Sequence, residues 1–200
     1  MRFPHVQGGF RDMLVCDGPQ AVPVPKTVST AAAAFGEPLA VCLHGVNRAG
    51  PLMGKRVLIT GCGPIGILAM MAARYAGASE IICTDIVETA LASARKLGAD
   101  DAINTSSGAD ALARFTNNKG YFDVMFEASG NQHALVGAFA ALKPRAIIVQ
   151  LGIGDQFNIP ISVIVAKEFD LRGTFRFHEE FNNAVAAIAS GRIDVMPLVT

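Results

Sequence analysis

The sequence predicts an α/β fold, a doubly wound, six-stranded parallel sheet with helices on both faces. Three observations carry that expectation. Short apolar runs rich in β-branched residues alternate with helix-forming segments from residue 55 to residue 190. Runs such as Ile147-Ile-Val-Gln-Leu151 are continuous rather than alternating, the pattern of strands buried on both faces of a parallel sheet. A glycine-rich turn, Gly61-Cys-Gly-Pro-Ile-Gly66, joins the first strand to the first helix of this alternation.

Taken in order, candidate strands are Arg56–Thr60, Glu80–Thr84, Asp101–Ile103, Phe122–Phe126, Ala146–Leu151 and Asp170–Phe175. Candidate helices between and after them are Ile65–Ala76, Glu88–Leu97, Gly108–Phe115, Gln132–Leu142, Ser162–Ala166 and Glu180–Ser190. The first 36 residues are rich in Pro and Gly and read as the tail of an all-β region, with extended pieces at Phe10–Asp17 and Ala21–Pro25. A further helix carries Glu37 and His44, and a new strand is expected at Pro197–Thr200. Both ends read as cut from something larger.

Composition excludes several classes of protein. The 200 residues are 51% hydrophobic and 17% charged, so a sizeable core can form and disorder is not expected. Seventeen basic residues cancel seventeen acidic ones without a basic block, which argues against a nucleic-acid partner. Apolar stretches are interrupted well short of a bilayer span, and the start carries no secretory pattern, so no membrane partner is expected and a cytoplasmic location is. Cys16, Cys42, Cys62 and Cys83 lack metal-type spacing and read as reduced, structural thiols.

The motif that carries chemistry runs from Lys55 to Asp85. Strand, glycine turn, apolar helix, second strand and terminal acid together form the dinucleotide-binding fingerprint of a Rossmann unit. Gly61 permits the tight turn, Gly63 lets the backbone approach a pyrophosphate, and Gly66 lets the helix lie close to the sheet. Pro64 suits a first helical turn, and the helix N-terminus offers amides and a positive dipole end to phosphates. Asp85 can accept bonds from a ribose diol and repels the extra 2′-phosphate of NADP, which favours NAD. Ile86 and Val87 supply no arginine to hold such a phosphate.

Glu37-Pro-Leu-Ala-Val-Cys-Leu-His44 followed by the Lys55–Gly66 segment resembles the zinc-dependent medium-chain dehydrogenases, and more narrowly their polyol branch. Pro4-His-Val-Gln-Gly-Gly-Phe10 and Gly173-Thr-Phe-Arg-Phe-His178 are most similar to members that act on L-idonate. The resemblance covers essentially the whole chain. It implies three parts: residues 1–38 as the remnant of a GroES-like β catalytic domain, 39–177 as the NAD-binding unit, and 178–200 as a helix and stub returning to the catalytic domain. It implies hydride transfer from a secondary alcohol of a sugar acid or polyol to NAD, with L-idonate to 5-ketogluconate favoured. Zinc and a homo-oligomer are implied for the full-length protein. The family's cysteine ligand and its Gly-His-Glu triplet are not found in this sequence, so the chain alone is expected to be inactive. A catalytically inert NAD-binding module is the alternative. A zinc-free quinone reductase of the same superfamily is disfavoured by Glu37-Pro-Leu.

By the same resemblance, Glu37 is the zinc ligand or holds the zinc-bound water. Cofactor contacts are implied for Gly61, Gly63, Pro64, Ile65, Gly66 and Asp85, for Ser129, Leu151, Gly152 and Ile153, and for Thr174, Phe175 and Arg176. Arg176 lies beside the nicotinamide and the sugar hydroxyls, where its rigid fork of donors suits a carboxylate or diol. Two departures stand out: Ala90 where relatives often carry Arg, and Phe177 where sorbitol dehydrogenases commonly carry Tyr. His44 reads as structural, because two helical turns separate it from Glu37. His5, His133 and His178 have no evident catalytic partner.

Overall fold

The computed structural model of the chain describes residue 9, residues 11–106 and residues 109–199. Its centre is a six-stranded sheet in the order β3-β2-β1-β4-β5-β6, every neighbouring pair parallel. The strands are β1 (Arg56–Thr60), β2 (Glu80–Asp85), β3 (Asp101–Asn104), β4 (Phe122–Glu127), β5 (Leu142–Gln150) and β6 (Asp170–Gly173). The order reverses between β1 and β4, and that reversal creates a crevice at the carboxyl ends of the strands.

Strand side chains alternate between two cores, as period-two geometry requires. Val57 and Ile59 of β1 join one, with Ile81, Cys83, Val124 and Phe126. On that face lie α1 (Thr30–Ala34), α2 (Gly36–Ala49), α3 (Pro64–Tyr75), α4 (Glu88–Lys96) and α7 (Glu180–Ala189). Leu58 joins the second core with Ile82, Met125 and Ile148, covered by α5 (Gln132–Gly137), α6 (Ile161–Lys167) and a 3-10 segment at Ala109–Phe115. Helix α3 is buried along most of its length, from Gly66 to Ala73, and ends where Gly77 takes a left-handed φ of 93°. Three of the four thiols are buried; burial, then the charge of Glu37, push Cys42 up, and a hydrogen bond with Cys62, then burial, push Cys83 up.

Several sequence expectations need correction. Among the described residues the pieces expected to be extended at Phe10–Asp17 and Ala21–Pro25 form no strand; Phe10 lies outside the described residues. Pro197 and Leu198 belong to a 3-10 turn, and Thr200 lies outside the described residues. The segment expected as Gly108–Phe115 is 3-10 rather than α-helical, and Gly108 is outside the description. The helix expected at Gln132–Leu142 stops at Gly137, and after a 3-10 turn Leu142 already opens β5. Pro144 falls between the expected helix end at Leu142 and the expected strand start at Ala146. The chain instead accommodates it as a register shift between the pairs of Phe122 and Val124, where a missing N–H is tolerated. β6 ends at Gly173, so Thr174 and Phe175 belong to a loop. As an edge strand it is also largely exposed, unlike the buried strands expected.

Helix α6 is tied down by one side chain at its end. Lys167 Nζ donates to the carbonyls of Phe139 (2.8 Å), Ala140 (3.1 Å), Leu142 (2.6 Å) and Lys119 (3.2 Å), and burial lowers its pKa. A Lys167→Met variant keeps the apolar stem and strands those carbonyls. It should lose about 1–3 kcal/mol of unfolding free energy in urea denaturation.

Candidate functional site

The turn from β1 into α3 is set by backbone crowding. Gly61 has a left-handed φ of 89°, and a Cβ there would stand 2.8 Å from the Ser129 backbone nitrogen. A Cβ on Gly66 would overlap the carbonyl oxygen of Gly61, so only glycine lets α3 start this close to β1. Gly63 is different. Its φ is ordinary and a Cβ would meet nothing within 4 Å, so nothing in the protein demands glycine there. The open space lies at the N-terminus of α3, where the first amides of a helix lack intrahelical partners. Pro64 opens the helix, exposed beside Gly63, and Ile65 is half-buried behind it.

Asp85 closes the other side of the turn. Its Oδ2 accepts from the backbone N–H of Cys62 at 2.6 Å, inside the glycine turn, and its Oδ1 accepts from Ile86 (2.7 Å) and Val87 (2.9 Å). The carboxylate is thus fixed at the carboxyl end of β2 against the glycine turn. It borders a cleft of about 660 Å³ lined by Thr60, Gly61, Asp85, Ile86, Thr105, Ser106, Ser129, Asn131 and His133 among others. Ile86 is 67% exposed at this rim.

Across the crevice a buried carboxylate organises the next two loops. Glu127, fully buried at the end of β4, accepts from the N–H of Ser129 (2.8 Å) and Gly130 (3.0 Å), from Thr60 Oγ1 (3.4 Å), from Ser129 Oγ and from Gln150 Nε2. The loop after β5 is drawn in as well, with Leu151 N and Gly152 N both donating to the Glu127 carbonyl at 2.8 Å. A Cβ on Gly152 would come within 2.7 Å of Glu127 Oε2, so close loop packing accounts for that glycine. Ile153, 87% exposed, caps this loop. Two buried polar atoms have no protein partner among the described residues, Gln150 Oε1 and Thr174 Oγ1, both at the ends of the last two strands.

The loop after β6 carries Thr174, Phe175 and Arg176. Thr174 N donates to Gln150 O at 3.2 Å, which joins this loop to the one after β5. Arg176 takes a left-handed φ of 58°, with its guanidinium 5.1 Å from the centre of the exposed Phe175 ring. The structure therefore gathers the expected cofactor residues on one rim, in the order Asp85, Gly61–Gly66, Ser129, Leu151–Ile153, Thr174–Arg176.

Glu37 stands apart. It is exposed in the first turn of α2. Among the described residues no three His, Cys, Asp or Glu side chains converge as a metal site. A catalytic zinc takes about three protein ligands, so a single carboxylate here does not hold one.

Comparison with known proteins accords with this geometry. The family described as zinc-binding dehydrogenase matches residues 64–190. The chain belongs to the zinc-binding dehydrogenase family. Over its whole length it is 40% identical to L-idonate 5-dehydrogenase (NAD(P)(+)) of Escherichia coli K12, of which it covers 58%. It is 32% identical to sorbitol dehydrogenase of Bacillus subtilis over 98% of the chain and 57% of that protein. The crystal structure of the E. coli L-idonate 5-dehydrogenase superposes with a TM-score of 0.93 at 41% identity, covering 99% of this chain and 57% of the other. A zinc-binding dehydrogenase from Sinorhizobium meliloti bound to NADP, at 30% identity, gives 0.79 over 86% of this chain and 52% of that one. The chain thus spans a little over half the length of these relatives.

Two residues of this zinc-binding dehydrogenase chain escaped the sequence reading. Glu127 falls just past the expected strand Phe122–Phe126 and had no role assigned. Glu180 sat at a helix start, and only the tertiary structure gives it partners: His44 Nδ1 at 2.9 Å, Asn47 Nδ2 at 2.9 Å and the His178 N–H at 2.8 Å. The His44 ring also stands edge-on to His178 at 5.3 Å.

Burial works to raise the pKa of Glu180, but the bonds from His44, the His178 amide and Asn47 outweigh it and hold the carboxyl at about 2. A depressed folded pKa contributes stability above the unfolded value of 4.5 that is lost as pH falls towards 2. Urea unfolding at stepped pH should show the unmodified chain losing roughly 2–4 kcal/mol more than Glu180→Gln between pH 5 and pH 2. A second expectation concerns the metal. Calorimetric titration with Zn²⁺ should give the same affinity for the chain and for Glu37→Ala.

Proposed function

We propose that this chain is the cofactor-binding part of a dehydrogenase that moves a hydride between NAD and a secondary alcohol of a sugar acid or polyol. The observation that carries the reading is the continuous rim from Asp85 through the Gly61–Gly66 turn to Arg176, centred on the crevice where the strand order reverses. The pyrophosphate lies over Gly63 at the N-terminus of α3, where a Cβ would occupy otherwise open space. The adenosine half enters the cleft bordered by Asp85, Ile86 and Thr105, and the ribose diol donates to Asp85. The nicotinamide half points the other way, towards Ser129, Leu151, Gly152, Ile153, Thr174 and Phe175. The exposed Ile86 at one end and Ile153 and Phe175 at the other offer apolar faces to the two planar rings.

In the reaction the carbinol carbon gives a hydride to the nicotinamide ring, the alcohol oxygen loses a proton, and a ketone and NADH result. The protein's contribution is to orient the two partners and exclude water. Arg176 holds the substrate's carboxylate or hydroxyls beside the ring, and its charge suits an aldonate such as L-idonate better than a neutral polyol. Zinc is proposed for the longer protein, with Glu37 as one donor. The donors in this chain do not suffice to hold it, so no step is assigned to the metal.

The E. coli relative's name covers both NAD and NADP. Here the fixed Asp85 carboxylate occupies the place a 2′-phosphate would approach, and Ile86 and Val87 offer it no cation. Fluorescence titration of the chain should therefore give NADH an affinity about tenfold or more above NADPH, the scale of one close like-charge repulsion. Asp85→Ala should erode that ratio. Equal or reversed affinities in the unmodified chain would overturn the assignment.

A further inference from the structure

We propose that Glu180 is a positioning residue for the nicotinamide end of the site: it clamps the loop that carries Arg176 onto helix α2. The proposal rests on the cofactor reading above and adds a residue to it. Glu180 is 6% exposed at the start of α7, and its two oxygens serve different elements. Oε1 takes the side chains of His44 and Asn47, one turn apart on α2. Oε2 takes the backbone N–H of His178, inside the loop between β6 and α7. One carboxylate thus joins the loop's backbone to a helix more than 130 positions earlier.

The other end of the same loop is fixed to the same helix. Arg48 Nε donates to the carbonyl of Gly173 at 3.1 Å, and Arg172 Nη1 donates to the carbonyl of Arg48 at 2.6 Å. Between these two anchors lies Arg176 with a left-handed backbone, a conformation unfavourable for a side-chain-bearing residue that persists only where the surroundings over-determine it. Phe177 stacks on Phe181 at 5.5 Å, fixing the residue after Arg176 to the first turn of α7. Removing the Glu180 carboxylate frees the His178 amide and both α2 donors at once, and the left-handed turn at Arg176 then relaxes. In the strand order, β1 and β2, which carry the glycine turn and Asp85, are separated by β4 and β5 from β6, after which the clamped loop begins. A loss of the clamp is therefore felt by the nicotinamide half of the cofactor and not by the adenosine half.

Two ligands separate those halves: NADH, and ADP-ribose, which lacks the nicotinamide. Titrations of the unmodified chain, Glu180→Ala, Glu180→Gln, Arg176→Ala and the Glu180→Ala/Arg176→Ala double variant are expected to give one ADP-ribose affinity throughout. NADH affinity should fall about tenfold in Glu180→Ala, recover to within about threefold in Glu180→Gln, and fall no further in the double variant than in the weaker single one. Asn47→Ala removes one donor at an exposed position and should cost about threefold for NADH alone. That variant decides the matter if Glu180→Ala does not fold. Unchanged NADH binding, parallel loss of both ligands, or additive losses in the double variant would overturn the clamp while leaving the cofactor site standing. If the unmodified chain binds neither ligand, the cofactor reading fails and the clamp with it.

Discussion

Most of what this chain can do depends on how closely the backbone of α3 approaches the end of β1. Gly66 stands against the carbonyl of Gly61 with no room for a side chain between them, and Gly61 in turn abuts the backbone at Ser129. Those contacts aim the N-terminus of α3 into the crevice between β1 and β4, with Gly63 open in front of it. They also bring the Cys62 amide to the Asp85 carboxylate, so the glycine turn and the acid at the end of β2 are set by one piece of packing. Any side chain at Gly66 would force the helix outward and separate them.

Two buried carboxylates extend this order to the other half of the sheet. Glu127 gathers donors from the ends of β1 and β5 and from its own following turn, and so fixes the loops after β4 and β5 against each other. Glu180 does the same for the loop after β6, using α2 as its support. A buried charge is costly without partners, and each of these has at least three donors. Chemistry-bearing loops at strand ends are held in this chain by acids that need not touch a ligand themselves.

The local signals were legible because each rests on a short-range rule. The strand, glycine turn, helix and acid from Arg56 to Asp85 show in the sequence as they stand in the fold, and continuous apolar runs correctly announced a parallel sheet. The failures came where a local rule was overridden. The strand expected from Ala146 begins at Leu142 and runs through Pro144, because the register shift against β4 removes the need for the missing N–H. The Pro- and Gly-rich stretch before residue 30 offered extended pieces, but no described residue there has a neighbouring strand to pair with.

The sequence by itself determined the fold class, the place of the glycine turn and the acid that faces it, since these follow from spacing along one segment of about 30 residues, the span of a βαβ unit. It also named Arg176 and Thr174 through resemblance to a family. Only the tertiary structure decided what holds them. The partners of Glu180 lie on a helix more than 130 positions earlier in the chain, and those of Glu127 on two other strands. No periodicity or motif encodes a hydrogen bond between elements so far apart, because their proximity is created by the packing of α2 and α7 on one face of the sheet and by the pairing of β4 with β1 and β5.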